Sequence, residues 1–366
     1  MPVHVGLLWK TAEDARNCEQ APLDLALCSV CGYVWNSSFD IARMAYDQDY
    51  DNALHHSPKF VAWEADLCAR IVERRGLYGR RLAEIGPGDG RFLATLCLEG
   101  GNAGIGFEPG HNPERVSELV ADADVVIFDE YADAMSLRSH VVDFVACRHV
   151  LEHLPEPTML IETVRGGIVD GGAVYIEVPN FEWALDRGAF EDLMYEHCGY
   201  YTPATLAHLL RRAGFSDVES SATFDGLFAS VEAVVADGSP IDGQIDPTIV
   251  NGIRERIDSL AARIAAARRD LADRRDDGQT IVAWGGGARA VGLLNLVSDS
   301  DAITGVVDIN PRKQGTFVTG TGHPIVPPEA LLTDPPDAVV VVNPVYIDEI
   351  RGMLSDLGVG ADVITV

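Results

Sequence analysis

The sequence predicts an α/β fold: a doubly wound, mostly parallel sheet, preceded by a small N-terminal knuckle and followed by a second, C-terminal βα domain. Three observations carry this. Between residues 80 and 235, short β-branched runs alternate with helical runs, at 81–85, 104–108, 124–128, 142–147 and 173–178. The last two runs, near 217–222 and 227–234, follow each other with only a turn between them, as an antiparallel edge would. Finally, a strand–glycine–helix passage occurs twice, as RLAEIGPGDG at 81–90 and as TIVAWGGGARAVGLLNLV at 280–297.

In the first passage Leu82, Ala83 and Ile85 form the apolar strand. The following helical run places Phe92, Leu93, Leu96 and Cys97 on one face. Glycines between a strand and a helix let the backbone approach a ligand closely. This turn is acidic, with Glu84 before it and Asp89 inside it, and it lacks the Gly-Lys-Ser/Thr of a phosphate-binding loop. A neutral or cationic nucleoside suits it better than a pyrophosphate. Glu108, in GIGFEPG about twenty residues on, stands where an acid grips a ribose diol. Ligands of such sheets bind beyond the carboxyl ends of the strands. That rule gathers Glu84 to Gly90, Glu108, Asp129 to Tyr131, Arg148 to Glu152 and Glu177 to Asn180 on one rim.

The motif E-x-G-P-G-D-G together with Glu108 resembles the class I S-adenosylmethionine-dependent methyltransferases, which are Rossmann-like. The resemblance implies S-adenosylmethionine as cofactor, held by Glu84, Gly86, Pro87, Gly88, Gly90, Glu108, Pro109, Asp129 and Tyr131. RHVLEHLPEP (148–157) sets His149, Glu152 and His153 at helical i, i+3 and i+4 spacing, which by itself suggests a metal. In the family this H-x-L-E-H segment lines the methionine end of the cofactor, so Arg148, His149, Glu152 and His153 are expected there. Tyr50, in the Tyr-, Asp- and His-rich stretch 40–60, is implied as a lining residue. His55 and His56 read as ligands, bases or polar surface, ahead of a helix capped by Ser57 and Pro58.

Residues 192–203, DLMYEHCGYYTP, hold an unusual density of titratable groups, ended by Thr202 as a helix cap. His197, of ordinary pKa about 6.5, suits a general base. Glu196 would orient it or hold a substrate hydroxyl, and Tyr195, Tyr200 or Tyr201 would donate to a developing enolate oxygen. The competing reading is a loop whose His merely packs. The run resembles the Tyr-His-Glu-His-x-Ser-Tyr-Phe-type segment of bacterial nucleotide-sugar C-methyltransferases, matching at Glu196, His197 and Tyr200, with Tyr201 in place of another aromatic. It departs at Met194, Tyr195 and Gly199, which leaves the base and puts the substrate in question. The resemblance implies C-methylation of a nucleotide-activated keto-deoxysugar, with Tyr201 and Asn180 on the substrate side.

The 366 residues suggest a segment at 1–56, a methyltransferase core at 57–240, a linking helix at 249–276 and a substrate domain at 277–366. A net charge of −28 repels nucleic acid and anionic membrane, leaving a small molecule as the expected partner. No apolar run reaches the ~18 residues of a membrane span. With no signal peptide and scattered, odd-numbered cysteines, the chain reads as cytoplasmic.

Cys28-x-x-Cys31-Gly is a metal-ligand knuckle, with Cys18 and His4 upstream. The sugar enzymes begin with a zinc module of two such pairs. Here one pair is present, so the start omits a segment, the site has decayed, or Cys18 completes it. The turn at 285–288 admits a nicotinamide reading, but Asp308 followed by Asn310 to Lys313 reads as an anion-facing loop. The resemblance assigns this domain to the substrate's nucleotide end, with Gly287 and Arg289 taking a diphosphate at the helix N-terminus. The alternatives left open are an O- or N-methyltransferase, an NAD-dependent dehydrogenase, and a non-catalytic assembly protein that binds the cofactor or zinc.

Overall fold

A computed structural model describes residues 1–44, 54–235, 243–297 and 302–365. β1 (Leu25–Leu27) and β2 (Val34–Asn36) form an antiparallel hairpin around the cysteine knuckle. The Cys28 N–H donates to the Tyr33 carbonyl, and the Gly32 N–H returns to the Cys28 carbonyl, closing the turn. The helix Pro58–Arg75 then starts where Ser57 accepts from the Phe60 N–H, with proline in its first turn. Its buried face carries Phe60, Glu64, Leu67, Cys68, Ile71 and Val72.

The main sheet is built from β3 (Arg81–Ile85), β4 (Ala103–Phe107), β5 (Asp124–Phe128), β6 (Phe144–Arg148) and β7 (Ala173–Pro179), all parallel. After the two-residue β8 (Gly199–Tyr200), β9 (Ser216–Thr223) and β10 (Phe228–Val234) complete it as an antiparallel edge. The order is β5-β4-β3-β6-β7-β10-β9. Each strand begins and ends within two residues of its sequence expectation. The chain runs outward from β3 through β5 and then returns to the other side of β3 as β6. The carboxyl ends of β3 and β6 therefore flank the topological switch point, where a doubly wound sheet opens a crevice.

β8 leaves the main sheet and pairs with β2, Val34 opposite Tyr200 and Trp35 opposite Gly199. The N-terminal hairpin thus holds the stretch that carries His197. β11 (Ile281–Trp284), β12 (Ile303–Val307), β13 (Ile325–Val326), β14 (Ala338–Val341) and β15 (Asp362–Ile364) form a second, parallel sheet of order β13-β12-β11-β14-β15. The long helix Pro247–Asp276 buries Ile253, Leu260 and Leu271 against both halves, in one apolar cluster that also contains Phe181, Phe190, Leu293 and Val340. Among the described residues no helix is long and apolar enough to cross a membrane.

The helix Ala288–Leu296 docks closely on the turn Phe190–Asp192: a Cβ built at Gly292 would lie 2.2 Å from the Glu191 carbonyl oxygen. Gly292→Ala should therefore force the two elements apart and lower the unfolding free energy by roughly 1–3 kcal/mol in urea titration. An unchanged midpoint would mean that this contact does not hold the halves together.

Candidate active site

The site is built on the switch-point rim, where β3, β6 and β7 carry Glu84, Arg148 and Glu177 at or near their carboxyl ends. Arg148 stands directly opposite Glu177 across the β6–β7 pair. It is almost fully buried, donating from Nε to Glu177 at 2.9 Å and from a terminal nitrogen to Glu64 at 2.9 Å. Its guanidinium lies over the Phe92 ring, 4.1 Å from the centroid. Tyr175 and Thr223 donate to the second oxygen of Glu177, and a His55 ring nitrogen meets Glu64 at 3.0 Å. Burial pushes the Glu177 carboxyl up, but the Arg148 charge, followed by His149 and Tyr175, outweighs it and holds it at about 2. Glu64 behaves likewise: burial raises it, while His55 and Arg148 bring it below its ordinary value.

His149 corrects the expected helical spacing. Its φ of 55° is left-handed, and only Leu151–His153 form a short 3-10 turn. Its N–H donates to the Glu177 carbonyl, and its ring stands 3.5 Å from Glu177 and 3.6 Å from Glu152. Burial disfavours its charge, yet these two carboxylates raise it to about 9, so it is an imidazolium.

The glycine turn is a cradle that a side chain would fill. Gly86 has φ +69°, and a Cβ there would meet Val150 at 2.3 Å. Glu108 accepts the Gly88 N–H at 2.9 Å, so the acid beyond the second strand faces the turn. Asp129 accepts the Gly110 N–H at 2.7 Å, while Pro109 and Tyr131 are exposed at the mouth. Pro87 is buried beneath the turn, and Gly90 starts the helix Arg91–Gly100. Glu84 is 2% exposed and its Oε2 has no hydrogen-bond partner, so burial, against the pull of Arg148, raises it to about 8. Tyr50 lies outside the described residues.

Beside the rim, Glu152, His153 and His197 converge, and one potential donor atom from each lies within 4.8 Å of the others. The His153 and His197 rings meet edge to face at 4.9 Å. His153 Nδ1 is 3.0 Å from the Glu196 carbonyl, which can only accept, so Nδ1 carries the proton. Glu152 is buried, and neither of its oxygens has a hydrogen-bond partner. His197 departs from the ordinary pKa expected of it: burial, then the neighbouring His153, push it down to about 4, leaving a neutral imidazole.

Several expected site residues have structural partners instead. Glu196 Oε1 accepts the Val5 N–H at 2.6 Å, fastening the N-terminal segment. Tyr195 is fully buried and its hydroxyl accepts from the Asp40 N–H. The Tyr200 hydroxyl donates to the Met194 carbonyl at 3.0 Å, and Tyr201 is packed against Tyr33. Asn180 caps the helix Phe181–Arg187 and donates to the Gly226 carbonyl. Arg289 is bound to Asp192 at 2.5 Å and lies over Trp183, which withdraws it from a diphosphate. Gly287 remains at a helix N-terminus, 3.6 Å from the Lys313 ammonium when measured from a built Cβ. Cys28 and Cys31 face each other, but Cys18 does not join them in a group of three potential ligands among the described residues. Zinc held by those three residues therefore does not fit the structure.

A methyltransferase domain family matches residues 55–220, and a C-methyltransferase C-terminal domain family matches residues 249–364. The C-methyltransferase NovU of Streptomyces niveus is 24% identical over 371 residues, covering 94% of this chain and 86% of its own length. This chain is a class I S-adenosylmethionine-dependent methyltransferase of the C-methyltransferase type. A ubiquinone biosynthesis O-methyltransferase of Citrobacter koseri is 27% identical over 115 residues, 30% of this enzyme and 47% of that one. The solved structure of an O-methyltransferase family protein from Burkholderia thailandensis covers 49% of this enzyme and 59% of its own chain, with 18% identity and a TM-score of 0.39.

The cofactor fits the rim of this methyltransferase. The turn approaches without side chains, and Glu108 sets a carboxylate against it. Glu84 offers a buried oxygen without a hydrogen-bond partner. Sequence reasoning missed Glu64, although its signal was present: it is the one carboxylate on the buried face of the helix Pro58–Arg75.

Arg148→Met leaves Glu64 and Glu177 buried without their cation, and should cost roughly 3–5 kcal/mol in urea unfolding. A loss below about 1 kcal/mol would contradict the network. Glu84 has a folded-state pKa of about 8, against about 4.3 for an unfolded Glu. The folded state then holds a proton that the unfolded chain releases, and stability falls as pH rises between those values. Glu84→Gln should flatten that decline, measured as urea midpoints across the interval; an unchanged slope would contradict the assignment.

Proposed function

We propose that this methyltransferase methylates a carbon of a nucleotide-activated keto-deoxysugar through a base-generated enolate. The observation that carries the reading is the convergence of Glu152, His153 and His197 beside the switch-point crevice. When bound, S-adenosylmethionine supplies a methyl group on a positively charged sulfur. What a carbon acceptor needs in addition is a base that takes the proton next to its ketone.

His197 takes that proton on its neutral ring. The Glu152 carboxylate, buried beside it, stabilises the imidazolium so formed. Positioning does the rest: β8 ties the loop to the N-terminal hairpin, and Glu196 ties it to Val5, so the ring is held against the rim. Glu108 grips the ribose of the cofactor and Glu84 faces its methionine end. The amides at Gly287, next to Lys313, hold the nucleotide end of the sugar.

The test is product mass after incubation with S-adenosylmethionine and a panel of thymidine-diphosphate keto-sugars in deuterated water. One added methyl is expected in place of the hydrogen removed, and substrate recovered before methylation should carry deuterium at the carbon next to its ketone. His197→Gln should abolish the exchange and slow turnover by about 10²-fold or more; undiminished turnover would remove His197 as the base. Glu108→Ala should weaken S-adenosylmethionine binding by about tenfold or more in calorimetry, and unchanged affinity would refute the ribose contact. Methylation of an acceptor without deuterium uptake would favour a hydroxyl acceptor, the reading suggested by the partial match to ubiquinone biosynthesis O-methyltransferases.

A further inference from the structure

We infer that Glu152, His153 and His197 form a binding site for a first-row divalent transition-metal ion, and that the ion competes with proton abstraction by His197. The three side chains come from two separate elements, the 3-10 turn after β6 and the loop fastened by β8. One potential donor atom from each nevertheless lies within 4.8 Å of the other two.

Two further observations point to a cation. Glu152 is 1% exposed and both of its oxygens are buried without a hydrogen-bond partner. A buried carboxylate in that condition is costly unless something positive meets it. The His149 imidazolium, 3.6 Å from Oε1, answers that charge in part. The second observation is the orientation of His153. Its Nδ1–H donates to the Glu196 carbonyl, which turns Nε2 into the acceptor nitrogen. Metal-ligating histidines are anchored in this way, through the ring nitrogen that does not bind the ion.

Two imidazoles and one carboxylate, with the remaining positions open, suit cobalt, zinc, nickel or iron(II) rather than the all-oxygen shells of magnesium or calcium. Coordination uses the His197 lone pair that would otherwise accept the substrate proton. Occupancy therefore suppresses methyl transfer, a consequence that rests on the base assignment above; the site itself does not.

The test is titration of metal-stripped full-length enzyme with Co²⁺, read by visible absorption. Binding should give d–d bands without the intense near-ultraviolet thiolate charge-transfer band that the Cys28–Cys31 knuckle would produce. Glu152→Gln and His153→Asn, with their folding verified by circular dichroism, should each weaken this binding by about tenfold or more. Zn²⁺ should displace the cobalt and inhibit turnover, with recovery on adding a chelator. A spectrum showing thiolate ligation alone, or binding unchanged in both variants, would overturn the site. Binding at these residues with undiminished turnover would overturn the competition, and with it the base role of His197, while leaving the site in place.

Discussion

Arg148 is the residue on which the rim depends. It is one buried cation between two buried carboxylates, with a phenylalanine ring under its guanidinium. Glu177 anchors it to the neighbouring strand and Glu64 to the helix Pro58–Arg75. Removing either partner from water is unfavourable alone, and the arrangement is tolerable only because each charge is answered by another. Through it, the helix that precedes the sheet is fixed against the carboxyl ends of β6 and β7. The backbone next door follows: His149 is held in a left-handed conformation by its N–H bond to the Glu177 carbonyl, and this turns Glu152 and His153 toward His197.

The second constraint is the way distant parts of the chain hold the loop that carries His197. β8 extends the N-terminal hairpin, Glu196 takes the Val5 N–H, and Asp192 holds Arg289 of the C-terminal half. One short loop is thus tied to the N-terminal segment, the main sheet and the C-terminal domain. A separate zinc module is not needed to explain why the N-terminal residues matter: they provide a strand partner and a hydrogen-bond donor. The two halves also repeat one device. Glu108 meets the Gly88 amide and Asp308 meets the Gly286 amide, so each sheet places an acid from its second strand against its glycine turn.

Much of this was legible in the sequence, for a physical reason. Buried parallel strands read as short apolar runs, and glycine turns punctuate them, so β3 to β7 could be located from the order of residues alone. The Ser57 and Thr202 caps were equally plain, because each is a local interaction within three or four residues. What failed was partnership across sequence distance. Nothing local distinguishes Tyr195 or Tyr200 as hydrogen-bonded structural groups, or Arg289 as a residue already paired with Asp192, whereas the cap at Asn180 was a local signal that went unread. The low pKa of His197 has the same origin, since it arises from burial and from a histidine more than forty residues away in the chain. Glu64 was detectable in principle, as a charge on a helix face that is otherwise apolar, but its partner Arg148 was not.

Every role proposed for the rim depends on the crevice between β3 and β6 holding the cofactor. The measurement that tests it is a crystal structure of the enzyme with S-adenosylhomocysteine. Ligand density is expected over the turn at Gly86–Gly90, with the ribose hydroxyls within hydrogen-bond distance of the Glu108 carboxylate and the amino-acid end toward Glu84. Density lodged instead at the Gly285–Gly287 turn, with Glu108 still bonded to Gly88 and the first turn empty, would contradict it.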